Sequence, residues 1–162
     1  MEALPEFWRP EIWHPLTVHL PLVALLLATL FKCVELFYTK KGWKLAGSTL
    51  LILGVIGVWG AIYTGNLADA GVSRNICDPT VLKAHENAAY TAAYIFTTAL
   101  LFDVFSYFNL LVLGPKISFI ITVVLLVTGS YFLIQTGHKG AQLVYQQGAG
   151  VYRPSESCSE FE

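Results

Sequence analysis

The run Trp13-His14-Pro15-Leu16-Thr17-Val18-His19-Leu20-Pro21 opens an apolar segment that continues to Phe37. Crossing the roughly 30 Å hydrocarbon layer of a membrane takes about 20 helical residues, and this segment supplies them. Three later stretches do the same, so helices are expected over residues 15–38, 45–64, 84–110 and 115–136. Short connections make sequential helices antiparallel. The expected fold is therefore an all-α membrane protein, a single four-transmembrane-helix up-down bundle over residues 1–162. A short extracytoplasmic cap (65–83) and tail (137–162) complete it.

Composition agrees with this reading. The 162 residues are 55% hydrophobic and only 13% charged, too apolar for an ordinary soluble domain of this length. The opening Met1-Glu2-Ala3-Leu4-Pro5-Glu6 lacks the basic region of a signal peptide, and the first apolar run is too long for a cleavable one, so the first helix is expected to stay. No basic stripe suited to nucleic acid, Gly-rich phosphate loop or nucleophile elbow is present. A stand-alone enzyme of soluble type is not expected.

The ten basic residues divide evenly between the two predicted sides, so density decides the orientation. Lys40, Lys41 and Lys44 crowd one short loop, with Lys32 and Lys116 on the same side, whereas Arg9, Arg74, Lys83, Lys139 and Arg153 are spread over longer segments. Positive charge is retained inside, which makes the dense loop cytoplasmic. Alternation then places both termini, the 65–83 loop and all four histidines outside, at the periplasmic face of a bacterial inner membrane.

Several local features carry expectations of their own. Gly47, Gly54, Gly57 and Ala61 fall on one helical face, where small-residue helix packing is preferred to a flat macrocycle lying against the backbone. Pro15 suits a first helical position, whereas Pro21 lies inside the first helix and robs the Thr17 carbonyl of its donor. Asp78-Pro79-Thr80 is a helix-start signal, and the Gly-rich stretch 137–152 is expected to fold back over the outer end. Asp103 would be costly facing lipid; it is expected in the bundle interior or at the inner interface, more as an interfacial group than for proton uptake. Cys33, Cys77 and Cys158 are isolated and form no Cys-x-x-Cys, although Cys77 and Cys158 share the outer side and could pair in an oxidising compartment.

The histidines give the chemistry. Two imidazoles from facing helices saturate a haem iron and leave no site for oxygen. His19 lies about one turn inside the first helix and His85 in the first turn of the third, at matching depth on diagonal helices, so they are the preferred axial pair for one haem b. His14 is rotated about 140° from His19 in an ideal helix, and Pro15 would leave it at the cap. His138 ends the fourth helix; it could join His14 around a second haem, or bind haem propionates together with Lys139, Arg74 or Lys83. Glu86 or Asp69 could orient an imidazole. Trp13, Trp59, Tyr63 and Tyr90 would pack on the macrocycle or anchor the bundle. No histidine pair has the close spacing of a small chelate, and the single methionine, Met1, disfavours copper handling.

His-Pro-x-x-Val-His-x-Pro at residues 14–21 and Leu-Val-Tyr-x-x-Gly-x-Gly-Val at 143–151 resemble the bacterial predicted-membrane-protein family known as domain of unknown function 2231, over nearly the whole chain. Gln146-Gln147 departs from the histidine that the resemblance would place there. The resemblance implies a haem-binding four-helix module found with cytochrome c or Rieske-type domains. The expected function is then a b-type cytochrome-like electron-transfer subunit rather than a stand-alone enzyme, passing electrons from a membrane donor such as quinol to an external redox protein. The alternative is a cofactor-free structural or assembly subunit that anchors a larger membrane complex among the lipids.

Overall fold

Proline begins three of the four helices. α1 (Pro10–Glu35), α3 (Pro79–Phe108) and α4 (Pro115–Gln147) each start on one, where the missing N–H costs nothing and the fixed φ already suits a helix. α2 (Lys41–Val72) instead follows an extended Lys40. Asp78 caps α3, its Oδ1 accepting from the Thr80 amide at 2.9 Å and the Thr80 hydroxyl at 2.6 Å. Asn109 and Gly148 close α3 and α4 in the left-handed conformation, with φ of 54° and 66°, a common way to satisfy the last carbonyls. This computed structural model describes residues 7–110, 112 and 114–152. All four helices are long and apolar enough to cross a membrane, and no strand occurs among the described residues.

Each helix extends beyond the segment that the sequence marks for it, apart from a shorter C-terminal end in α1 and α3. α1 begins at Pro10, so Pro15 lies within the helix instead of opening it. α2 runs through residues 65–72 and α3 starts at Pro79, which leaves little of the expected cap as loop. α4 continues to Gln147, so 137–147 is helix and does not fold back. The reason is physical: hydrocarbon thickness limits the apolar run, not the backbone ladder, and packing carries the helices onward. Ala68 and Leu143, both beyond the expected ends, are buried. The Cys77–Cys158 pairing and the acidic end fall outside the described residues.

The helices pack as two hairpins, α1 on α2 and α3 on α4, which meet each other much less extensively. Within the first, the small-residue face of α2 is filled by α1. A Cβ on Gly54 would come within 2.5 Å of Leu25 Cδ2, one on Gly57 within 3.0 Å of Pro21, and one on Gly47 within 3.1 Å of the Lys32 stem. This is the expected packing role, and it leaves no room for a flat group on that face. Gly129 of α4 admits the Phe96 ring in the same way, at 3.1 Å. Leu25, Leu51, Phe96 and Leu126 meet at the centre with no exposed surface, while Leu20, Ile56, Leu101, Val124 and Tyr131 point outward, as a lipid-facing surface requires.

The two hairpins are built alike. Counting 7, 11, 14 and 18 residues from His14 reaches Pro21, Leu25, Ala28 and Lys32; the same steps from His85 reach Ala92, Phe96, Ala99 and Asp103, and all eight are buried. Eighteen residues are five turns of about 3.6, so each series is a straight stripe. On the second helices, Leu51 and Gly54 correspond to Leu126 and Gly129. The halves are thus related by a pseudo-two-fold axis along the bundle, the arrangement of parallel repeats in membrane proteins. Side chains of the diagonal helices α1 and α3 meet on this axis at both ends.

Candidate cofactor site

At one end of the axis stand His14 and His85, ring centres 6.0 Å apart and planes 84° to one another. His14 Nδ1 lies 2.9 Å from the Ala61 carbonyl of α2, and His85 Nδ1 lies 3.0 Å from the Thr136 carbonyl of α4. A carbonyl only accepts, so Nδ1 is the donor in both rings, and each neutral imidazole keeps its Nε2 lone pair. The seat of each ring is a glycine one turn further on: a Cβ on Gly65 would lie 3.1 Å from His14 Nδ1, and one on Gly140 3.2 Å from His85 Cε1. Each ring is therefore tied to the neighbouring helix of its own hairpin and carried to the boundary between hairpins. Thr17 and Thr64, joined at 2.8 Å, brace the His14 side, and Thr64 donates to the same Ala61 carbonyl at 3.0 Å.

The pair is not the one that depth alone suggests. With α1 starting at Pro10, His14 sits inside the helix on the stripe that ends at Lys32, and His19 is turned to the exposed face. His85, expected in the first turn of the third helix, is the seventh residue of α3, because that helix starts at Pro79. His138 is exposed on α4, its Nε2 3.4 Å from the Gln142 amide nitrogen, and His14 is engaged with His85. The orienting acceptors are main-chain carbonyls in place of Glu86 or Asp69; Glu86 holds Lys83 at 2.8 Å. Trp13 stacks on Trp8 at 5.3 Å and Tyr63 is exposed, whereas Trp59 and Tyr90 meet between α2 and α3 at 6.5 Å. Trp59 donates to Thr97 at 3.1 Å and Asn66 to the Tyr90 hydroxyl at 3.0 Å. The equal spacing of the two stripes is the signal that would have paired His14 with His85.

Among the described residues, no group of three or more His, Cys, Asp or Glu converges. A metal ion relying on protein ligands alone would find two donors here.

Residues 12–153 match the family described as Predicted membrane protein (DUF2231). The chain belongs to this family. No curated protein and no solved structure matches it. The matched span takes in all four helices of this DUF2231 protein apart from the first two residues of α1, and with them His14 and His85. In the DUF2231 chain the motif His14 to Pro21 thus has two structural duties: His14 turns inward to the axis, and Pro21 packs on Gly57.

Proposed function

We propose that this membrane protein is a b-type cytochrome-like electron-transfer subunit, with one haem b held between His14 and His85. The observation that carries the reading is the pair itself: two imidazoles on diagonal helices, each with Nδ1 given to a carbonyl and Nε2 left for a metal. Ligating histidines ordinarily donate their other ring nitrogen to such an acceptor. A metal bound to two imidazole nitrogens at roughly 2.0–2.1 Å each would set the ring centres about 6.4 Å apart, a few tenths of an ångström more than the 6.0 Å between them here. Haem also suits a site with only two protein donors, because the porphyrin brings four nitrogens of its own.

The backbones of the two hairpins approach each other less closely than those within each hairpin, which suits a group seated between them. When bound, haem supplies one-electron chemistry, and the protein supplies orientation and electrostatics. Ala61 and Thr136 hold the rings, Gly65 and Gly140 admit them, and Trp59 with Tyr90 fills the space between α2 and α3. In this reading the lysine-rich end is cytoplasmic and the histidine end periplasmic. Electrons pass from a membrane donor such as quinol to an outer cytochrome c or Rieske-type partner.

The test is a reduced-minus-oxidised visible spectrum with haem quantitation on protein purified from membranes supplied with haem. The expected result is about one b-type haem per chain, lost on His14→Ala or His85→Ala and kept on His19→Ala or His138→Ala. Colourless protein, or haem binding unaltered in the first two variants, would replace this reading with that of a structural subunit.

A further inference from the structure

The other end of the pseudo-two-fold axis carries a second paired site, five turns from the histidines. Lys32 Nζ lies 2.6 Å from Asp103 Oδ1 and donates to Ser48 Oγ at 2.9 Å, while the Ser48 hydroxyl donates to Asp103 Oδ2 at 2.6 Å. Glu35 Oε2 stands 3.3 Å from the same ammonium. The three ionisable side chains are 0%, 6% and 12% exposed for Lys32, Asp103 and Glu35 respectively. Glu35 Oε2 has no exposed surface and accepts no hydrogen bond among the described residues.

The charges do not balance. One ammonium faces two carboxyl groups, and among the described residues none of the three makes a further ion pair. The neighbouring elements bring no second cation into contact. On α2, Lys44 lies over the Tyr107 ring of α3 at 4.6 Å, and Lys41, like Lys40 before it, is exposed. On α4, Lys116 is exposed, the Phe119 ring lies 5.7 Å from Lys32 Nζ, and the Ser118 and Thr122 hydroxyls donate to carbonyls four residues back. Two ionised carboxylates here would leave one uncompensated negative charge in a poorly solvated interior, a costly arrangement. Uptake of one proton removes it.

We propose that Lys32, Ser48, Asp103 and Glu35 form a proton-binding site in which the two carboxyl groups together hold one exchangeable proton. The proton comes from hydronium at the lysine-rich end, an O–H bond forms on a carboxylate oxygen, water is released, and no electron moves. Glu35, the last residue of α1 and the most exposed of the three charged groups, is the entry. Lys32 is shared by both carboxyl groups, and Ser48, which accepts from Lys32 and donates to Asp103, fixes the inner one. The site needs no haem, so it stands apart from the cofactor reading.

Infrared difference spectroscopy of the full chain in lipid nanodiscs, titrated from acid to alkaline pH, reads the proton directly. The expected result is one carboxylic C=O band at neutral pH that shifts in heavy water and disappears on alkalinisation. Glu35→Gln, which balances the charges and leaves the buried pair intact, should abolish that band while helical circular dichroism is retained; Asp103→Asn provides a second variant. Loss of the band in either variant supports the site. Absence of the band at every pH at which the helices persist, or its survival unchanged in both variants, would overturn it.

Discussion

His14 and His19 differ by five residues and end on different sides of α1. A rotation of about 140° separates them, and the starting point of the helix decides which one faces the axis. Pro15 looked like that start, whereas Pro10 is. Chemistry was therefore legible at this position and direction was not, because Pro10 and Pro15 are both suited to the start of a helix. His85 had no such ambiguity, following the Asp78-Pro79-Thr80 cap by less than two turns. Lys32 and Asp103 offer a test at the same scale. Removing one partner of a buried ion pair costs about 3–5 kcal/mol, so Lys32→Met should destabilise the bundle by that order in an equilibrium unfolding measurement. The double variant Lys32→Met/Asp103→Leu should recover most of the loss. Gly54→Ala, whose Cβ would meet Leu25 at 2.5 Å, should cost about 1–3 kcal/mol by overpacking.

At the scale of elements, the apolar runs gave the number and order of the helices, and the small-residue stripe gave the face of α2 on which α1 packs. The ends were harder to read. Hydropathy falls where the membrane ends, yet α2 and α4 go on because Ala68, Leu143 and the imidazole seats at Gly65 and Gly140 pack beyond it. The α3 cap makes a prediction in pH. Hydrogen bonds from the Thr80 side chain and amide hold the Asp78 carboxyl below its ordinary value. Its contribution is thus fully present above the unfolded-state value and is lost as pH falls through the lower folded one. Hydrogen-exchange protection of the first α3 turn should drop over that acidic window in the native chain. In Asp78→Ala it should be low throughout, with little pH response.

For the molecule as a whole, the four-helix membrane bundle was readable from composition and periodicity, but the pseudo-two-fold was not. Few residues match between the halves; what repeats is burial at steps of 7, 11, 14 and 18 from each histidine, a pattern visible only once each stripe has its correct origin. The axis explains why both ionisable pairs lie between hairpins and why the backbones approach more closely within each hairpin than across the boundary. Electron paramagnetic resonance of the oxidised, haem-loaded protein tests the central claim most directly. Two imidazoles with nearly perpendicular planes predict a low-spin ferric signal of high anisotropy, absent from His14→Ala and His85→Ala. A high-spin signal from the unaltered protein, or the same low-spin signal from both variants, would contradict the account.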